Sequence, residues 1–297
     1  MIESRTRMIA AGASLALLAG AFGLAPVSAQ DPVALPEPVS IPSDTYDITG
    51  TLVLPESDGP VPAVLMLHGY GSSADEVGGM YEREAAALAE QGVGSLRIDF
   101  AGMGVSGAST TDYDWDSQTG DATAALDWLL EQPGVDPERV GVLGFSNGAM
   151  IGSYLVGTDE RPAAFASWSG ALYDGSYTGP FLESMLADCE ATGEGEIELD
   201  LGFRTIVHSC EYFSSMMGGT ALTEFADFSG PLLLIAGSDD TAVDPAVSEN
   251  AATASASEDV THTVIDGADH IFHVLTEDQA MAEEVISTTA DWFASKL

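Results

Sequence analysis

Val140-Gly141-Val142-Leu143-Gly144-Phe145-Ser146-Asn147-Gly148-Ala149-Met150 is the stretch on which the fold turns. An apolar run ends abruptly at a serine flanked, one residue away on each side, by glycine. The run from Arg139 to Phe145 reads as a strand buried on both faces, and Asn147 to Gly157 reads as a helix. A sharp turn between them forces Ser146 toward an uncommon backbone geometry, and glycine at 144 and 148 leaves room for the close approach. The serine oxygen then projects at the top of a sheet. The Asn147 N–H, at the helix start, faces any negative charge that develops there. G-x-S-x-G in a strand–turn–helix context marks a nucleophile. The alternative is an ordinary Gly/Ser/Asn loop closing a buried strand. The choice rests on whether the chain supplies a base, an acid and a second oxyanion donor.

Serine needs a base to take its proton. Of the five histidines, His270 lies in Gly267-Ala268-Asp269-His270-Ile271-Phe272, directly after the last expected strand and before the final helix. A loop at the top of the sheet would present it there. His273, in the apolar Ile271–Leu275 stretch, is the nearest competitor. His262 lies inside a strand, His68 reads as structural within its loop, and His208 falls in a long insertion where its role is open. The imidazole in turn needs an acid to fix its tautomer. Asp239 and Asp240 both follow the strand Pro231–Gly237; Asp240 is preferred, and Asp239 is suited to capping the turn. Asp244 is placed to cap the helix that Pro245 opens. The loop after an early strand, His68-Gly69-Tyr70-Gly71-Ser72, offers the Tyr70 N–H as the second oxyanion donor beside Asn147.

Strands are expected within 45–55, 61–71 (ending in a Gly-rich turn), 95–107 (followed by a Gly-rich loop), 139–145, 162–170, 230–237 and 260–267. Helices are expected at 81–94, within 116–135 and ending before Pro133, at 147–157 and at 276–297. Strands that alternate with helices and are apolar throughout indicate a parallel sheet covered on both faces. Residues 30–44 read as an extended, Pro-rich segment. Residues 171–229 break the alternation, and a connection that long is usually functional. We read this segment as a cap inserted between core halves at 45–170 and 230–297. Its Tyr173, Tyr177, Phe181, Met216 and Met217 are candidates to line a substrate pocket. Cys189 and Cys210, the only cysteines, both lie in the insertion. A disulfide is the reading that fits an exported chain, and two buried thiols are the alternative.

Export is suggested by the N-terminus. Arg5 and Arg7 precede an apolar run from Met8 to Leu24, followed by Val27-Ser28-Ala29. This reads as a signal peptide at 1–29, leaving after cleavage a periplasmic or secreted protein with no membrane attachment; an uncleaved membrane anchor is the alternative. The 297 residues carry 47 Asp and Glu against 8 Lys and Arg, a net charge of −39. Such a field disfavours nucleic acid and anionic membranes as partners, repels anionic substrates and favours release of an anionic product. Scattered acids with so few cations also suggest adaptation to salt.

The order Ser146, Asp240, His270 is that of the α/β-hydrolases. Leu65–Gly71, Leu96–Gly107, Gly144–Ala149, Gly237–Val243 and Gly267–Phe272 together resemble bacterial feruloyl and cinnamoyl esterases and dienelactone-hydrolase-like esterases. True dienelactone hydrolases use cysteine where this chain has Ser146. The resemblance implies an α/β-hydrolase fold with a doubly wound, mostly parallel sheet and a cap after the sixth strand. It implies an oxyanion hole on Tyr70 and Asn147, and hydrolysis of small or aromatic carboxylic esters through an acyl-enzyme. No metal or organic cofactor is expected, and the expected state is a monomer or homodimer. A serine aminopeptidase or acyltransferase of the same fold, and a catalytically silent binding protein, remain alternatives.

Overall fold

Two prolines lacking an amide hydrogen, Pro38 and Pro42, suit a strand that pairs on one side only. In the computed structural model they lie in β1 (Glu37–Pro42), which runs antiparallel to β2 (Asp47–Val53) at the sheet edge. The structure describes residues 35–43, 45–175, 179–201 and 204–297, without the side chains of 179–181. The expected signal peptide lies outside these residues. The extended segment expected at 30–44 thus enters the sheet over part of its length, because its alternating Val39 and Ile41 have apolar surface to cover.

The chain continues through β3 (Val61–Leu67), α1 (Met80–Glu90), β4 (Gly94–Ile98), α2 (Trp115–Leu130), β5 (Val135–Phe145), α3 (Asn147–Thr158) and β6 (Ala164–Trp168). An insertion follows, holding α4 (Gly179–Thr192), β7 (Glu196–Asp200), β8 (Thr205–Ser209), α5 (Cys210–Met217) and α6 (Ala221–Phe225). The alternation then resumes with β9 (Leu232–Gly237), α7 (Ala246–Ala254), β10 (Val260–Ile265) and α8 (Ala280–Lys296).

Eight strands form one sheet in the order β1-β2-β4-β3-β5-β6-β9-β10. Pairing is parallel from β4 to β10 and antiparallel at the β1–β2 and β2–β4 edge. Successive side chains of a strand point to opposite faces, so β3 and β5 feed two cores. Leu65, Leu67 and Val142 pack with α2 and α3 on one side. Val64, Met66 and Leu143 pack with α1 and α8 on the other. This is the α/β-hydrolase fold expected from the sequence. The final helix starts at Ala280 rather than 276; ahead of it the Gln279 side chain donates to the Val274 and Thr276 carbonyls, and the Ala280 N–H donates to Asp278 Oδ1.

The insertion is tied both to itself and to the core. Cys189 and Cys210 are bonded, with Cα atoms 5.5 Å apart, joining α4 to the start of α5. The hairpin β7–β8 is separate from the main sheet. Thr110 Oγ1 donates to the Val207 carbonyl at 2.7 Å, and the Trp115 N–H donates to Ser215 Oγ at 3.1 Å. Gly157 lets α6 lie on α3, since a Cβ there would sit 2.4 Å from the Glu224 carbonyl carbon.

Candidate active site

The turn between β5 and α3 holds Ser146 at φ 51°, ψ −114°, a region L-residues rarely occupy. The surroundings hold the serine there. Its N–H donates to the Trp168 carbonyl at 2.9 Å, and its carbonyl accepts from Ala171 N–H at 3.0 Å. Both flanking glycines are obligatory for steric reasons. A Cβ on Gly144 would lie 2.4 Å from Ala149 Cα, and one on Gly148 would lie 2.0 Å from the Leu67 carbonyl oxygen.

His270 Nε2 lies 3.0 Å from Ser146 Oγ. On its other side, His270 Nδ1 is 2.7 Å from Asp240 Oδ2. The loops after β5, β9 and β10 bring these three together from 124 and 30 residues apart. The Asp240 carboxylate is almost fully buried, and its Oδ1 accepts from Ala242 and Val243 N–H at 2.8 and 2.9 Å. Gly237 allows the loops after β9 and β10 to touch: a Cβ there would meet the Ala268 carbonyl oxygen at 2.3 Å. Phe145 packs against the His270 ring at 5.1 Å between centroids.

The other candidates fall elsewhere. Asp239 is exposed and accepts from Ser238 Oγ. Asp244 Oδ1 accepts from the Ala246 N–H at the start of α7. His273 sits beside Asp269 with 4.0 Å between Nε2 and Oδ2. His262 Nε2 contacts Ser248 Oγ on α7 at 2.8 Å. His68 is fully buried: its Nδ1–H donates to the Gly69 carbonyl at 2.7 Å, and its Nε2 accepts from Phe100 N–H at 3.1 Å. Both nitrogens are thus engaged, and burial lowers its affinity for a proton.

Among the described residues, the main-chain N–H groups of Tyr70 and Asn147 donate to no protein acceptor. The Asn147 side chain, which sequence reasoning left without a role, is pinned: Nδ2 donates to Tyr113 Oη at 3.0 Å and to Gln118 Oε1 at 2.6 Å. Nothing local in the sequence announces Tyr113 or Gln118, because the contact spans the α2–α3 packing. The Tyr70 hydroxyl lies 2.5 Å from His208 Nε2, and His208 stacks on Tyr212 at 4.2 Å. Burial pushes the His208 pKa down to about 4, so this ring is neutral at pH 7.

Two cavities flank Ser146, with Tyr70 in the wall of both. One of about 440 Å³ is lined by Asn147, Met150, Tyr173, Leu199, Tyr212 and Met216. The other, of about 600 Å³, holds His270, Glu76, Arg204, Ile271 and Leu275. Tyr173 and Met216 thus line the cavity beside Ser146. Met217 lines neither cavity; it is one residue, about 100° of turn, further round α5 than Met216 and packs partly buried against the core. Tyr177 and the Phe181 side chain lie outside the described residues. Among the described residues no cluster of three or more His, Cys, Asp and Glu is placed to hold a metal ion, and no helix is long and apolar enough to cross a membrane.

Residues 123–271, half of the chain, match the profile of the BAAT / acyl-CoA thioester hydrolase C-terminal family. The chain belongs to this family. Membership and fold place it among α/β-hydrolases of the esterase and thioesterase type. Residues 44–184 also match the profile of the X-Pro dipeptidyl-peptidase (S15) family. The BAAT-family chain is 22% identical over 204 residues to the peroxisomal succinyl-coenzyme A thioesterase of Mus musculus, covering 65% of this chain and 44% of that one. It is 34% identical over 104 residues to the polyketide transferase ATR5 of Stachybotrys chlorohalonatus, covering 35% and 34%. The chain thus spans a third to under a half of these relatives. Among solved structures it resembles Est1E of Butyrivibrio proteoclasticus with ferulic acid bound, with a TM-score of 0.69 and 18% identity over 87% of this chain and 98% of the other.

Proposed function

We propose that this chain hydrolyses carboxylic esters through an acyl-enzyme on Ser146. The observation that carries the reading is the continuous contact from Ser146 Oγ through His270 to the buried Asp240. Ser146 Oγ attacks the ester carbonyl carbon while its proton passes to His270 Nε2. Asp240 holds Nδ1–H and stabilises the imidazolium. The carbonyl oxygen, now negative, accepts from the Tyr70 and Asn147 N–H groups, which have no protein acceptor of their own among the described residues. Collapse breaks the bond to the leaving oxygen, which takes the proton from Nε2. Water, deprotonated by the same nitrogen, then releases the acid and restores Ser146.

The insertion at 171–229 acts as a cap that selects the acyl group. Tyr173, Tyr212 and Phe213 give the smaller cavity walls suited to a short or aromatic acyl chain. A thioester reading is favoured by one further observation, the family match over 123–271, and uses the same steps with sulfur as the leaving atom. Export through the N-terminal leader belongs to the same proposal.

Ser146→Ala should lower kcat for p-nitrophenyl esters by about 10³-fold or more. It should also abolish labelling by a fluorophosphonate probe. Retained turnover, or labelling at another residue, would refute the assignment. Running matched p-nitrophenyl esters and acyl thioesters in parallel decides between the two leaving atoms.

A further inference from the structure

We infer that Arg204 selects substrates whose leaving group carries an anion, a carboxylate or a phosphate. This inference rests on the acyl-transfer reading above and names the substrate class for it.

The side of the site comes first. A general acid must stand over the oxygen that departs. His270 lines the 600 Å³ cavity and not the 440 Å³ one, whereas Asn147 lines the smaller cavity and not the larger. The larger cavity is therefore the leaving-group side, and Arg204 is in its wall.

The pairing pattern of the cations comes second. Six of the eight Lys and Arg residues are described, and five of them sit on carboxylates. Arg83 pairs with Glu283, Arg97 with Asp75, Arg139 with Asp136, Arg161 with Asp127 and Asp159, and Lys296 with Asp259. Arg204 pairs with no carboxylate among the described residues, although acids outnumber cations 47 to 8. Its Nη1 donates to the Gly71 carbonyl at 3.1 Å and lies 3.6 Å from Met103 Sδ. Its Nε and Nη2 donate to no protein acceptor among the described residues, so part of the guanidinium fork is left for a ligand. Glu76, in the same cavity, does not take that fork. Its Oε2 accepts from Gly69 N–H at 2.6 Å and its Oε1 from Val77 N–H at 2.8 Å.

A planar guanidinium with unused donors matches the two oxygens of a carboxylate or phosphate. The molecule's overall field repels anions, so a local cation beside the nucleophile discriminates strongly between charged and neutral leaving groups. The insertion carries this residue, immediately before β8, across to the loop after β3.

Three acetyl esters test the inference with the acyl group held constant: 4-acetoxybenzoate, its methyl ester and 4-acetoxyphenyl phosphate. Going from wild type to Arg204→Gln, kcat/KM for the anionic esters should fall about 10- to 100-fold more than for the methyl ester. The difference should lie mainly in KM, and Arg204→Lys should recover part of it. A selective loss confined to the carboxylate or to the phosphate also supports the inference and identifies the anion. An equal fall for all three esters, or no fall, overturns it. Partial misfolding lowers all three rates alike and cannot imitate a changed ratio. If wild type turns over none of the three and no p-nitrophenyl ester, the acyl-transfer reading itself fails.

Discussion

At the scale of single residues, position relative to the turn decides role more than residue type does. Asp239 and Asp240 are neighbours with the same side chain, yet one is exposed and the other is buried against His270. Glu84 illustrates burial without a partner. Both its carboxyl oxygens are buried and unpaired among the described residues, and burial pushes its pKa well above the ordinary 4.5. The folded state then keeps the proton while the unfolded chain loses it above 4.5. Stability contributed by protonated Glu84 is therefore fully present below 4.5 and is lost as pH rises toward the folded value. Glu84→Leu should stabilise the protein by about 1–3 kcal/mol at pH 8, and the gain should shrink toward pH 5. Urea unfolding of both proteins across that range checks this; a gain independent of pH, or a loss, would count against it.

At the scale of elements, the sequence pattern was legible wherever local rules act alone. The strand and helix around Ser146 lie where hydrophobic runs and glycines put them, and α1, β6, β9 and β10 follow within a few residues. The exceptions share a cause. β1 needed a partner strand to be recognised, and α8 starts late because the Asp278 and Gln279 side chains bond the backbone at its start. The insertion resisted reading because its short helices and polar hairpin have no strong period. Its integrity depends on a cross-link closing a loop over a sequence separation of 21 residues. Such a loop contributes roughly 3 kcal/mol by restricting the unfolded chain. Replacing Cys189 and Cys210 together by alanine should loosen α4 and α5. Limited proteolysis should then cut first within 179–217, and KM for aromatic acyl esters should rise more than kcat falls. Unchanged proteolysis and kinetics would show that the insertion holds without the bond.

At the scale of the whole molecule, charge dominates. A net charge of −39 is spread over the surface while most described cations are already paired. Repulsion among the remaining acids opposes compaction and is screened within about 3 Å at 1 M salt. The melting temperature should therefore rise between 0.05 M and 2 M sodium chloride by several degrees. A scan in which it stays constant or falls would remove salt adaptation from the account.

The sequence by itself determined the fold class, the sharp turn at Ser146 and the order in which a serine, an aspartate and a histidine follow one another. These depend on local periodicity and on steric rules for glycine that operate within a few residues. Only the tertiary structure decided that Asp240 rather than Asp239 meets His270, that Tyr113 and Gln118 hold Asn147, and that Arg204 reaches the cavity beside Ser146. Those contacts join residues 29 to 133 positions apart, and they exist because the sheet and the insertion pack as they do. No period or motif along the chain records such distances.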